Sequence, residues 1–522
     1  MNPVSDRTDP FARVLGGAAA TALVQALYLG SRFLLTPFVL ARAGLEAYGF
    51  WSLLFAVLGV LGVQRMGLVS ASVPLAARAL AEGDAPRAAR ILRSVAGLAT
   101  LLALLFVVAT LQADGLLLRL LGVGPELEAS ARFALRLTVG ATGLALAFGG
   151  YQSYLESDQR YATVKLVDGS AQLGEAVLLG ALLWAGLGLE ALGTAYALRL
   201  LVPIPIYAWL SRRAGRQAPL WPSLPDRREL RSILRLGLAI QGLGTVHMGV
   251  AALPRLVLAR VTDLGTLGLF EVSRKLIEFA AALPSKSLEP LVAASGAAGS
   301  AAASRQARRV ATRTSTRLVA TVGLLPLGLL AVMGPAVGVA WLGVHQPSVP
   351  AVLALLAPAA WLHLCTGPTT AVLRGDARPR AELAYSGLWL LLLAALLPIA
   401  APQGVVAAAG AVAVAQAIAS LLLFWMALGQ VGLRARELAS DLVRPCAALA
   451  LPLVAAAVLG QIPADAARAE AIRAVAAGAG LAIVLALPTC WWLVLCANER
   501  AFVEGRLRRS LLSVLNPSPL KP

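Results

Sequence analysis

The stretch FVLARAGLEAYGFWSLLFAV (residues 38–57) decides the fold. An apolar run stops at Arg42, crosses a few residues that include Gly44 and Glu46, and resumes at Tyr48. A buried hairpin of a soluble protein and a turn between two membrane-crossing helices both read this way. Composition separates them. The 522 residues are 58% hydrophobic and 14% charged, with mean hydropathy +0.76, whereas soluble domains carry about 25% charged and about 45–50% apolar residues. No soluble interior absorbs that excess, so the chain reads as an all-α polytopic membrane protein.

The net charge of +18 does not point to nucleic acid, because no stretch combines a soluble basic module with stacking aromatics. In a membrane protein, surplus Arg and Lys collect in cytoplasmic loops. Cys365, Cys446, Cys490 and Cys496 sit in or beside apolar runs, with neither disulfide nor zinc spacing. His247 and His363 lie inside apolar runs and His345 in a loop, which suits packed or interfacial side chains. No metal site or cofactor is expected.

A bilayer core about 30 Å thick takes about 20 helical residues per crossing. That ruler predicts fourteen spans: 14–40, 48–72, 94–113, 133–155, 164–186, 191–210, 234–258, 265–290, 318–342, 351–373, 384–401, 404–428, 445–461 and 471–496. With the N-terminus placed inside, 31 of the 45 basic residues fall in inside segments and seven at outside loops or their edges. The remaining seven lie within spans. This bias makes both termini cytoplasmic. The connection 211–232 is basic and Pro-rich, and it divides the first twelve spans six and six. The expected organisation is therefore a six-helix lobe (1–210), a cytoplasmic linker (211–232), a second six-helix lobe (233–428), and an extra helix pair with a basic tail (429–522).

The halves echo one another. PFVLARAGLEAYGFW at the first outside turn corresponds to PRLVLARVTDLGTLGLF (254–270) at the first outside turn of the second half. Each has a Pro five or six residues before an Arg, the tetrapeptide Val-Leu-Ala-Arg, and a Gly-containing turn that runs into an aromatic. An even number of crossings per half makes such repeats parallel.

ARAGLEAYGFWSLL together with RMGLVSASVPLAARALAEGD (65–84) resembles the first two helices and first cytoplasmic loop of polysaccharide (O-antigen-type) flippases of the multidrug/oligosaccharidyl-lipid/polysaccharide exporter superfamily. Tyr48, Gly49, Gly67, Leu68, Arg78, Gly83 and Asp84 carry the pattern. Arg260, Gly265, Gly268, Phe270 and Arg274 resemble the corresponding turn of the second half, and VLRGDARPRAEL (372–383) the loop after the tenth helix. The Arg42–Gly49 gap is one residue shorter than the family's, and Arg65 stands where the family often has Asp. The resemblance implies a MATE-like fold of two parallel six-helix lobes. It also implies transport of an undecaprenyl-pyrophosphate-linked oligosaccharide across the bacterial cytoplasmic membrane by alternating access, in company with a polysaccharide polymerase or glycosyltransferases.

Ionisable groups inside spans cost at least about 2.5–3.5 kcal/mol each on insertion scales and are functional candidates by default. A lipid pyrophosphate needs cations, and guanidinium groups bind phosphate oxygens in pairs. Arg32, Arg65, Arg255, Arg274 and Lys286 are the substrate-binding candidates. Arg199, near the cytoplasmic Arg212, reads as structural. Arg274 and the adjacent Lys275 diverge by about 100° on a helix and cannot face one cavity. Glu278, Glu271, Glu175 and Asp168 are candidates for coupling to H⁺ or Na⁺. Glu278 and Glu271 also lie at ion-pairing distance along a helix from Arg274.

Enzymatic function is not expected. The first outside loop offers Glu46 as its lone carboxylate, no large outside loop exists, and no Gly-Lys-[Ser/Thr] phosphate-binding loop occurs. A lipid II flippase and a cation-coupled multidrug exporter of the same superfamily share the fold, and fold cannot choose among them. Fusions test the topology. A phosphatase active only outside the cell should give signal when joined after residue 45 or 262, and none when joined after residue 84 or at either terminus.

Overall fold

The computed structural model describes residues 10–214, 221–223, 227–287, 305–375, 379–463, 465–497, 500–501 and 504, apart from certain side chains such as those of 10–26, 60–71 and 227–240. Helices dominate the described residues, and no strand occurs among them. This is what hydrocarbon demands: a helix satisfies every backbone N–H and C=O within its own segment.

The first helix, α1 (Pro10–Ala81), contains the opening stretch. Its backbone leaves helical geometry at Gly44, with φ 86° and ψ 167°, so two helices meet at that residue. A side chain is strained at such a φ, which Gly adopts freely. The apolar run and the Gly-containing interruption therefore mark the turn correctly. The EGD loop then starts α2 (Ala85–Gln112): the Asp84 carboxylate accepts the Arg87 N–H at 2.8 Å, satisfying one of the helix's orphan donors.

The chain continues through α3 (Asp114–Leu120), α4 (Pro125–Ala147), α5 (Gly150–Ser157), α6 (Tyr161–Trp184), α7 (Leu189–Leu201), α8 (Pro203–Arg213), α9 (Arg227–Val261) and α10 (Leu264–Ser287). Next come α11 (Arg305–Val332), α12 (Gly334–Leu342), α13 (Ser348–Cys365), α14 (Gly367–Gly375) and α15 (Pro379–Ala400). After a 3₁₀ turn (Ala401–Gln403) follow α16 (Val405–Val431), α17 (Ala435–Leu459) and α18 (Arg468–Leu493).

Among the described residues, nine helices are long and apolar enough to cross a membrane, and ten if α4 and α5, bent by 45°, form one broken span. The other four expected spans, 14–40, 48–72, 234–258 and 265–290, overlap α1, α9 and α10. Only 22% to 50% of each span is buried within the protein. The exposed remainder is apolar: Val177, Leu391 and Leu487 are 75%, 69% and 70% exposed. Trp184, Trp209 and Trp492, exposed near helix ends, suit the headgroup level where amphipathic rings settle.

The packing divides the chain into two compact units, Met1–Lys275 with Ser386–Ala415, and Leu276–Tyr385 with Gln416–Pro522. In the first unit, α1 packs along α6 and α9, and α4 along α7. Small residues bring the latter pair close. A methyl group added to Gly193 on α7 would lie 3.1 Å from the Ala134 backbone on α4. Such contacts substitute for a hydrophobic driving force, which lipid does not provide between apolar helices.

In the second unit, α11 packs on α13 and α17, and α17 on α18. Two boundaries differ here from the sequence expectation: the candidate spans begin at Thr312 rather than 318 and at Ala435 rather than 445. The polar first turns are helical because their charges meet. Arg309 pairs with Glu437, and the Arg313 guanidinium reaches Asp441 at 2.8 Å and Glu437 at 3.4 Å. Arg317 approaches Asp441 at 3.9 Å. Arginines four residues apart on α11 thus face carboxylates four residues apart on α17. Asp441 is fully buried, and removing one partner of a buried pair costs about 3–5 kcal/mol. Asp441→Ala should therefore lower the thermal unfolding midpoint in detergent markedly. Arg78→Ala, which removes an exposed pair with Glu82, should leave it nearly unchanged.

Candidate functional site

Two clusters in the first unit gather the candidate residues, and each places one carboxylate between two arginines. In the first, Arg32 on α1 pairs with Glu175 on α6, and Arg199 on α7 reaches the other Glu175 oxygen at 3.1 Å. Glu175 is 3% exposed. Aromatic rings enclose the guanidinium groups: Arg32 and Arg199 each lie 5.3 Å from the Tyr28 ring centre, and Arg199 lies 5.9 Å from that of Tyr196. Tyr196 packs edge-on against Trp51 and Phe55. Such faces stabilise a cation that has left water.

In the second cluster, Glu271 on α10 is 4% exposed. Arg255 on α9 donates to both of its oxygens at 3.2 Å, and Arg274 donates to the same two at 3.0 and 2.7 Å. The Ser52 hydroxyl on α1 adds a fifth hydrogen bond at 3.2 Å. Arg274 returns one turn along its own helix to Glu271, whereas Lys275 lies 3.4 Å from the Tyr48 hydroxyl. The adjacent cations do diverge. Glu278 is exposed farther along α10.

Asp168, two turns before Glu175 on α6, accepts the Tyr207 hydroxyl at 2.6 Å. Between them the buried Gln172 Oε1 has no hydrogen-bond partner among the described residues. The side chains of Arg65 and Lys286 lie outside the described residues. Sequence reasoning placed Arg32, Arg255, Arg274, Glu175 and Glu271 in spans, and the structure gathers them into two groups. It brought Arg199 in only as a structural residue, and it did not single out Tyr28 or Tyr196. The signal available for Arg199 was a lone cation in the span following Glu175, which requires a nearby counter-charge.

The two span histidines do pack as expected. His363 Nδ1 lies 2.9 Å from the Tyr385 hydroxyl with the rings stacked, and His247 Nε2 lies 3.0 Å from the Ser386 hydroxyl. No group of three His, Cys, Asp or Glu that could hold a metal occurs among the described residues.

Each Arg–Glu–Arg group carries one net positive charge in a place where charge is expensive. Each sets two guanidinium groups against a single carboxylate.

No protein-family model matches the sequence, and no curated protein does. Solved structures do match. The fold superposes on the lipid II flippase MurJ in an inward closed conformation with a TM-score of 0.70 at 12% identity, covering 91% of this chain and 98% of that one. It superposes on an inward-facing multidrug resistance MATE transporter of the MOP superfamily with a TM-score of 0.62 at 16% identity, covering 80% and 98%. A MATE transporter in complex with MaD3S gives 0.54 at 17% identity, covering 82% and 97%. This chain has the fold of those transporters. The MATE-like all-α membrane architecture expected from the sequence is therefore found.

The clusters make a prediction about stability. Glu271→Ala leaves Arg255 and Arg274 without their counter-charge and should destabilise the protein by about 3–5 kcal/mol. Glu271→Gln, which keeps one accepting oxygen and the side-chain volume, should cost less. Thermal unfolding of the purified variants in one detergent checks the order.

Proposed function

We propose that this chain is a membrane flippase that carries undecaprenyl-pyrophosphate-linked oligosaccharide from the inner to the outer leaflet of the bacterial cytoplasmic membrane by alternating access. The observation that carries the reading is the surplus of guanidinium over carboxylate in both span clusters, Arg32–Glu175–Arg199 and Arg255–Glu271–Arg274. A pyrophosphate bears several negative charges, and a fixed cation in low dielectric stabilises it far more than one in water. The Arg-rich turns that resemble polysaccharide flippases support the same reading.

In this reading the halves 1–210 and 233–428, joined by 211–232, are the two lobes, and the helix pair within 429–522 is an addition to the second. Arg32, Arg65, Arg255, Arg274 and Lys286 meet the substrate. Glu175 and Glu271 act as internal counter-ions that hold the guanidinium forks in place between loads. Asp168 and Glu278 then remain as the candidates for H⁺ or Na⁺ coupling. Both termini face the cytoplasm, and a polysaccharide polymerase and glycosyltransferases supply and consume the cargo.

One further reading has an observation in its favour: a flippase for the peptidoglycan precursor, the cargo named for the structure superposing at a TM-score of 0.70. Transport decides between them. Purified protein in liposomes should flip a fluorescent undecaprenyl-pyrophosphate oligosaccharide faster than empty liposomes do. Arg32→Ala should slow this by about tenfold or more while the protein remains folded, the loss that about 1.4 kcal/mol of binding energy produces. Faster flipping of lipid II would move the cargo to the peptidoglycan precursor. Efflux of a cationic dye with no lipid flipping would move the protein to the drug exporters.

A further inference from the structure

Helix α8 turns one face to the protein and the other outward. Its buried residues are Pro203, Tyr207 and Ser211. Tyr207 fixes the rotation, since its hydroxyl donates to the Asp168 carboxylate on α6 at 2.6 Å. Val202 at the helix start, Ile206, Trp209 and Arg213 are all exposed. They follow one another at three or four residues and so form a single outward row. A helix rises about 16 Å from Val202 to Arg213, close to half of a hydrocarbon core about 30 Å thick. The row therefore has the length of one leaflet.

A stacked cation ends the row. The Arg213 guanidinium lies 3.9 Å from the Trp209 ring centre, nearer than the 5.3 Å of the two guanidinium groups over Tyr28. A ring against one face of a guanidinium leaves the edge donors open, and those donors bind phosphate oxygens in pairs. Arg212, beside it, is exposed as well. No carboxylate among the described residues pairs with Arg212 or Arg213, whereas Arg160 at the start of α6 has Asp158 at 2.7 Å.

We propose that the outward row of α8 binds an anionic phospholipid, with its phosphate on Arg212 and Arg213 and one acyl chain along Trp209, Ile206 and Val202. A partner helix fits the row poorly, because helices in lipid approach on small residues and these are large. A free phosphate uses the arginines and leaves the apolar row idle. A zwitterionic headgroup brings its own cation toward two arginines, whereas a net negative one matches them. The site holds a resident lipid rather than cargo, so it stands apart from the flippase reading.

Trp209 reports the occupancy of its own site. The full chain is placed in phosphatidylcholine vesicles with rising fractions of a lipid brominated near the headgroup end of its chains, since bromine quenches a tryptophan that it touches. Subtracting the fluorescence of Trp209→Phe leaves the Trp209 signal. Half of that signal should be lost at a fraction about fivefold lower with brominated phosphatidylglycerol than with brominated phosphatidylcholine. Arg213→Gln should bring the two fractions together. Arg213→Lys, which keeps the charge and loses the fork, should fall between. Arg160→Gln, at an exposed arginine that has its carboxylate, should leave the ratio unchanged.

Equal fractions for the two lipids in the unaltered chain would overturn the proposal, and so would a ratio that Arg213→Gln leaves in place. Selectivity lost in inorganic phosphate, and kept in chloride at the same ionic strength, would also overturn it by assigning the arginines to a free anion. A second measurement follows the chain rather than the headgroup. In a Trp209→Phe background, Val202→Trp moves the reporter about 10 Å along the row. It should be quenched best by phosphatidylglycerol brominated at the chain end. Equal quenching there by bromine at either end of the chain sinks the acyl-chain half of the site.

Discussion

Hydrocarbon accepts no hydrogen bonds and solvates no charge, and the rest of this structure follows from that constraint. Each backbone segment that crosses it is helical, because a helix closes its own hydrogen bonds. Each described charge cluster inside it is internally paired. Glu175, Glu271 and Asp441 are all nearly or fully buried, and all three are held by arginines from a neighbouring helix or turn. The charges therefore serve twice: they fasten helices that lipid would otherwise leave free to separate, and they mark where the protein keeps polarity in spite of its cost.

The three clusters differ in how much positive charge is left over and in where the partners come from. The α11–α17 ladder sets three arginines against two carboxylates at matching one-turn spacing. It joins α17 to α11 within the second unit. The clusters around Glu175 and Glu271 are more compact, with aromatic rings or a serine completing the shell. In each, one shared carboxylate fixes two guanidinium planes.

Much of this was legible along the chain. Apolar runs placed the break at Gly44 to within a turn, but around Glu82–Gly83–Asp84 the helices extend to Ala81 and from Ala85, more than two turns past the expected ends at 72 and 94. Two further boundaries missed, at Thr312 and Ala435, are where polar residues continue a helix because they face opposite charges on another one. No local pattern reports that. Arg32, Arg255 and Arg274 stood out because a cation in an apolar run is costly wherever the helix points. Arg199 stood out less because its proximity to basic loop residues offered an ordinary explanation, which its contact with Glu175 replaces.

The sequence by itself determined the class of the protein and the types of residue its interior must contain: an excess of apolar side chains has only lipid to face, and span arginines need partners. It also marked two turns as counterparts. Only the tertiary structure decided which carboxylate each arginine meets and that the counterpart turns press Gly49 and Gly268 on backbone carbonyls. Those facts depend on helices far apart in the chain arriving at the same depth and rotation. Depth and rotation are set by the sum of many weak packing contacts, and no stretch of sequence carries that sum.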